Sequence, residues 1–334
     1  MKKKKILLVG GLGFIGHNLA IKLQKKFEPV VVDGLNVNNL LNFADPDVKN
    51  KDLYTTILNS RIKLLNKNKI KVIIQDARDY HKMSKIYEEI KPSTIIHLAA
   101  VSHANKSNKD PHNTFDHSLR TLENTLDIAK TNKTHVIYLS SSMVYGDFQG
   151  DVALESQLCN PIGIYGSLKL ASEIIIKSYN QVFGLPYTII RPSALYGERC
   201  VSRRVGQIFI ENALQNKKII INGSGEAKLD FTYIDDFVSG IILCCNNKKA
   251  LNQTFNLTYG NSRKIYDLVS IVREKFPKIK IALKKKEVFT PERGTLSINK
   301  AKKLLGYRPK YSIDKGYRKY LNWYKEFWKN EFNK

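Results

Sequence analysis

The sequence predicts an α/β protein, a doubly wound parallel sheet followed by a small mixed α/β part. Three observations predict it. Short, wholly apolar runs alternate with helical stretches through the first half, the pattern of parallel strands covered on both faces. A glycine-rich turn joins the first such run to the first helix. Past Ser141 the alternation gives way to a mixed pattern.

Taken in order, residues 5–9 form the first strand, 14–26 a helix and 30–33 the second strand. Residues 36–69 are a lysine- and asparagine-rich insertion, with a surface helix expected at 52–66. Strands three to five fall at 70–75, 94–99 and 136–140, with helices near 83–90 and 114–130 between them. Further helices are expected near 169–183, 205–215 and 234–245. In 317–332, Tyr317, Leu321, Tyr324 and Trp328 recur at helical spacing and read as a packing face.

Composition narrows the function classes. The chain has 334 residues, 43% hydrophobic and 25% charged, enough for a sizeable core and unlike a disordered, collagen-like or disulfide-stapled chain. Its apolar runs fall far short of the roughly 18–20 residues a membrane helix needs. Met1 to Lys5 leads directly into a strand with no signal-peptide pattern, so a cytoplasmic protein without a membrane partner is expected. Cys159, Cys200, Cys244 and Cys245 show neither metal spacing nor a disulfide framework, and no metal is expected. The net charge is +25, carried by 43 lysines and twelve arginines. The lysines are scattered, with no basic arm or RNA-binding aromatic motif, and nucleic acid is not an expected partner.

The glycine turn is the first chemical signal. Gly10-Gly11-Leu12-Gly13-Phe14-Ile15-Gly16 follows a strand and opens a helix, allowing close approach of backbone to a pyrophosphate at the helix N-terminus. Asp33 ends the second strand, placed to bond the two ribose hydroxyls of NAD and to repel the extra phosphate of NADP. Gly34, Leu35 and Asn36 supply no arginine for that phosphate. NAD is the expected cofactor.

The second signal is Tyr165-Gly166-Ser167-Leu168-Lys169, which sets a tyrosine and a lysine on one face of a helix. A tyrosine ordinarily ionises near pH ~10; an adjacent ammonium and a cationic nicotinamide favour the phenolate and make it a usable base. The end of strand five, Leu139-Ser140-Ser141-Ser142-Met143-Val144-Tyr145-Gly146, adds hydroxyls able to hold a substrate oxygen.

With these residues in place, the chain resembles an extended short-chain dehydrogenase/reductase of the NAD-dependent sugar-nucleotide epimerase/dehydratase family. The resemblance spans nearly the whole chain. It includes Asp76-Ala77-Arg78-Asp79, His97-Leu98-Ala99-Ala100, Arg191-Pro192, Tyr196-Gly197, the run Asp230 to Asp236, and the run Lys302 to Pro309. It implies a Rossmann domain over 1–165 whose core continues to about 190, a mainly substrate-binding part over 191–334 with segments returning to the sheet, and a homodimer through two helices per subunit. It places the catalytic Ser/Thr on Ser141, the adenine beside Asp76 and Ala77, the cofactor backbone along Leu98, Ala99 and Ala100, and the nicotinamide ribose on Lys169. The implied partner is a nucleotide-diphosphate sugar.

Departures from the family pattern bear on the reaction. Where 4,6-dehydratases carry an Asp-Glu acid–base pair, Ser142 and Met143 stand; methionine transfers no proton, and water elimination is not expected. Carbonyl–alcohol chemistry at a sugar carbon remains, as an epimerase working through a 4-keto sugar or as a 4-dehydrogenase or ketoreductase that releases it. A non-nucleotide alcohol dehydrogenase and a non-catalytic dinucleotide sensor are the lesser alternatives. The asparagine that usually contacts the phosphate is Ala194, and an arginine usual before Asp230 is Leu229. Arg293 falls where the family has a substrate-binding arginine, and Arg203 with Arg204 could supply the missing clamp. His103, in a loop after strand four, could touch substrate.

Overall fold

A computed structural model describes residues 3–44, 48–102, 104–285 and 291–332. In chain order the principal elements are β1 (Lys5–Val9), α1 (Phe14–Leu23), β2 (Glu28–Asp33), α2 (Lys51–Lys67), β3 (Lys71–Ile74), α3 (Tyr80–Ile90), β4 (Thr94–His97) and α4 (Thr121–Lys130). They continue as β5 (His135–Leu139), α5 (Gly163–Phe183), β6 (Tyr187–Arg191), α6 (Val205–Leu214), α7 (Ile234–Asn246), β7 (Gln253–Asn256), α8 (Ile265–Lys275) and α9 (Ile313–Phe327).

The seven strands make one parallel sheet in the order β7-β6-β5-β4-β1-β2-β3. Because successive side chains of a strand point to opposite faces, β1 feeds two cores. Ile6 and Leu8 pack on one side with Val31, Ile96, Ile137 and Ile190. Leu7 and Val9 pack on the other with Val32, Ile95, Val136 and Ile189. This is the Rossmann arrangement the apolar runs imply. The strand order reverses between β1 and β4, opening a crevice at their carboxyl ends where such sheets bind ligands.

Two parts of the fold differ from expectation. The insertion helix is not a surface helix: α2 buries Leu53, Tyr54, Ile57, Leu58, Arg61 and Leu65. Those positions share one stripe at helical spacing, diluted in the sequence by the lysines and asparagines of the other faces. The expected helix at 114–130 is split into Pro111–Phe115, a π turn over Asp116–Arg120, and α4. Strands β6 and β7 extend the sheet beyond the five expected. Tyr-Thr-Ile-Ile-Arg and Gln-Thr-Phe-Asn carry polar residues at buried positions, so neither reads as a continuous apolar run.

The C-terminal part adds small two-stranded pairings, including Ile219–Asn222 with Ile281–Lys284. The aromatic stripe of α9 packs as expected, with Tyr317, Tyr320, Leu321 and Tyr324 buried. Among the described residues no helix is long and apolar enough to cross a membrane.

Candidate active site

The crevice is built first by the glycine loop. The N–H groups of Gly10 and Gly11 both donate to Val32 O, at 2.8 and 3.1 Å, curling the chain off β1. Gly10 has φ +82°, and a Cβ there would sit 2.7 Å from the backbone nitrogen of Ala99, so only glycine fits this crossing of β1 against the end of β4. The first amides of α1, which begins at Phe14, have no partners inside the helix and face the crevice with its positive dipole end.

One cleft gathers Gly10, Gly13, Phe14, Ile15, Gly16, Asp33, Asp76, Ala77, Leu98, Ala99 and Ala100. Asp33 is held by its neighbours: Oδ2 accepts from Leu12 N at 2.9 Å, and Oδ1 from Leu35 N at 2.8 Å. Burial pushes its carboxyl pKa up while these amides oppose the shift. Asp76 accepts from Asn36 Nδ2 at 3.2 Å and from Arg78, whose guanidinium holds its carboxyl below the usual range. A backbone cradle that a Cβ would fill, a helix N-terminus and a carboxylate at the end of β2 are the features a dinucleotide site requires, and NAD fits them.

On the neighbouring side, α5 carries Tyr165 and Lys169. Gly166 lets α5 lie against the turn Ser142–Tyr145, for a Cβ there would come 2.7 Å from Met143 O. Ser141 caps that turn; its Oγ accepts from Met143 N at 3.2 Å, leaving the hydroxyl hydrogen to be donated. Ser142 and Met143 are buried beside it. Lys169 is 6% exposed; its Nζ donates to Leu139 O at 2.6 Å and lies 4.7 Å from the Tyr138 ring centre. Burial pulls its ammonium down to about 7, with Glu173 one turn on pulling the other way. His97, buried at the end of β4, is pushed down to about 3 by burial and then by Lys169, so it stays neutral.

Behind this face lies a buried ion pair. Arg191 grips Glu173 through Nε–Oε1 at 2.9 Å and Nη2–Oε2 at 2.6 Å. Ser140 donates to the same carboxylate at 2.5 Å, and Arg191 Nη1 donates to Tyr145 Oη at 3.0 Å. This network fixes β5, β6 and α5 to one another where Ser141 and Lys169 emerge.

The residues expected to meet substrate divide. Arg204 lines the cleft and donates to Ser102 O at 2.8 Å. Arg293 is half-buried; its Nε has no hydrogen-bond partner among the described residues, and burial with the Arg204 charge brings it down to about 10. Arg203 is turned elsewhere: its Nη1 is 3.1 Å from Tyr54 Oη and 4.0 Å from Glu211, a buried carboxylate that also takes Tyr324 Oη at 2.6 Å. The expected Arg203–Arg204 clamp is therefore divided between the α2–α6 contact and the cleft. His103 lies outside the described residues. Arg61, Val201 and Ser202 line the cleft with no motif to mark them; for Arg61 the available signal was its place on the apolar stripe of α2.

The sheet order, the nucleotide cleft and a tyrosine–lysine helix beside it define an NAD-dependent enzyme of the extended short-chain dehydrogenase/reductase class. The family model for the NAD dependent epimerase/dehydratase family matches residues 6–258, and the chain belongs to that family. UDP-glucuronate 4-epimerase 1 of Arabidopsis thaliana is 28% identical, over 97% of this chain and 77% of its own. Among solved structures, UDP-glucuronic acid 4-epimerase from Bacillus cereus, with UDP-glucuronic acid and NAD, superposes with a TM-score of 0.87 at 27% identity, covering 97% of this chain and 99% of that one. UDP-glucose 4-epimerase from Thermotoga maritima, with UDP-glucose, gives 0.83 at 25% identity, covering 96% and 99%.

Proposed function

We propose that the enzyme is an NAD-dependent nucleotide-sugar 4-epimerase acting through a 4-keto sugar, and that UDP-sugars, the substrates named for its relatives, are the first to test. The observation that carries this reading is the pairing of Tyr165 and Lys169 on α5 with the Ser141 cap, beside a cleft whose acid–base positions hold Ser142 and Met143. Such a set moves a proton on and off a hydroxyl and has no acid–base pair for removing water.

NAD, when bound, supplies the acceptor and donor for a hydride at sugar C4. Tyr165 takes the proton of the C4 hydroxyl, and Ser141 donates a hydrogen bond to the same oxygen as it becomes a carbonyl. Lys169 holds the nicotinamide ribose. After the keto sugar turns over in the site, Tyr165 returns the proton to the oxygen of the inverted centre. Arg204 and Arg293, two cations near one another with donors to spare, hold the diphosphate in place of the contacts missing at Ala194 and Leu229. Exposed Ile174, Val182 and Phe183 on α5 support a homodimer through that helix; light scattering on the purified chain tests it.

The test of function is incubation with a panel of UDP-, GDP-, dTDP- and CDP-sugars, followed by mass spectrometry, NMR and absorbance near 340 nm. An unchanged mass with a new NMR spectrum establishes epimerisation. A loss of two mass units with NADH accumulation replaces it with a dehydrogenase that releases the keto sugar. No turnover of any of them overturns the nucleotide-sugar reading.

A further inference from the structure

Arg61 presents a buried charge with no ion-pair partner among the described residues. It is the one arginine of α2 and is 1% exposed. Its guanidinium donates to three carbonyl contacts: Nη1 to Leu12 O at 3.2 Å, Nε to Arg199 O at 3.1 Å and Nη2 to Arg199 O at 2.5 Å. Among the described residues no carboxylate pairs with it. Asp33, close enough to act on it electrostatically, already has its oxygens taken by Leu12 N, Leu35 N and Asn39 Nδ2. A buried guanidinium that is solvated only by carbonyls is expensive, and burial draws this one down to about 10, with the Arg199 charge adding to the effect.

The same side chain lines the cleft beside Gly13, Phe14 and Arg204. The loop from Gly10 to Gly16 contains no cation. A guanidinium carries five N–H donors, so the three carbonyl bonds leave two free. We propose that Arg61 is a cofactor-binding residue: it supplies the glycine loop's missing positive charge to the diphosphate of NAD. By gripping Leu12 O and Arg199 O it also ties that loop to the segment leading to Arg204. An insertion helix thereby completes a phosphate site that the helix dipole and glycine amides begin. The proposal rests on NAD being the cofactor and not on which sugar is turned over, so it is decided by binding alone, and a failed turnover assay leaves it standing.

The experiment titrates nucleotide-free protein with NAD, ADP and adenosine, for wild type, Arg61→Gln and Arg61→Lys. Arg61→Gln is expected to weaken NAD and ADP at least tenfold while adenosine, which has no phosphate, changes less than twofold. Arg61→Lys, which keeps the cation, is expected to fall between. Equal weakening of all three ligands would reduce Arg61 to a structural tie and overturn the proposal, as would unchanged NAD affinity in Arg61→Gln. Arg61→Lys as weak as Arg61→Gln would assign the effect to the carbonyl bonds and overturn the charge role. If Arg61→Gln fails to fold, Arg61→Lys gives the same comparison: a loss confined to NAD and ADP supports the proposal, and a loss shared with adenosine refutes it.

Discussion

Lys169→Met is expected to make the protein more stable and catalytically dead, with a pH signature that isolates the cause. The lysine is buried, and its ammonium is pulled from 10.5 to about 7 by burial. Between those two values the unfolded chain binds more protons at this site than the folded chain, so this residue's contribution to stability rises as pH climbs through the window. Converting the shift at ~1.4 kcal/mol per unit gives a penalty of roughly 4 kcal/mol at pH 7, falling to roughly 2 kcal/mol at pH 9. Methionine removes the charge at similar length, while losing the 2.6 Å bond to Leu139 O offsets about 1 kcal/mol. The variant should therefore exceed wild type by about 3 kcal/mol at pH 7, and the gap should narrow by about 2 kcal/mol at pH 9. Urea unfolding of both proteins at pH 7, 8 and 9, free of nucleotide, reads the gap directly and cancels the titrating groups that do not feel Lys169. A gap that stays level, or widens with pH, would show that burial does not draw the Lys169 ammonium down.

Tyr165→Phe should abolish turnover while NAD still binds; unimpaired activity would remove Tyr165 as the base. Arg293→Ala should raise KM for the nucleotide sugar at least tenfold with a smaller change in kcat, and an unchanged KM would leave its unpartnered Nε unexplained. Glu173→Gln strips the carboxylate from Arg191 and Ser140 in the buried interior and should cost about 3 kcal/mol or more in urea unfolding; a loss under about 1 kcal/mol would mean the network relaxes around an unpaired Arg191. Ala194 has φ +37°, a conformation asparagine tolerates better than alanine, so Ala194→Asn should lower KM by restoring a phosphate contact without loss of thermal stability.

The first half of the fold was legible because most of its strands are buried and apolar, and even the partly exposed edge strand β3 fell within one residue of its expected limits. β1, β2, β4 and β5 fell within two residues of their observed limits. The last two strands were not, and the reason is the ion-pair network. Arg191 ends β6 and Asn256 ends β7, both buried because Glu173, Tyr145 and Glu155 satisfy them from other elements. A sequence displays a polar residue in a strand without displaying the distant partner that makes it admissible. α2 was obscured in the opposite way: its stripe was present, but its lysine-rich outer faces read as an exposed insertion.

The same distinction separates the parts of the site. Gly10 to Gly16 with Asp33, and Tyr165 with Lys169, work through short-range spacing on single elements, which a sequence preserves. Arg61 and Arg204 reach the cleft from separate stretches of chain, with Arg293 near Arg204; the family resemblance pointed to Arg204 and Arg293, while nothing in the spacing marked Arg61. Net charge was no guide either. Among the described residues Lys169 is the only lysine that is buried, and the others clothe the surface. The arginines include Arg61 and Arg191 in the interior, with Arg204 and Arg293 half-buried near one another. A lysine ammonium is strongly hydrated and remains in water, whereas a guanidinium is weakly hydrated and fans five donors, so it tolerates burial and meets phosphates in pairs. The +25 is thus chiefly a property of the solvated surface. The charge proposed to face the cofactor and substrate is carried by a few arginines whose planar, many-donor heads, rather than their number, suit a diphosphate.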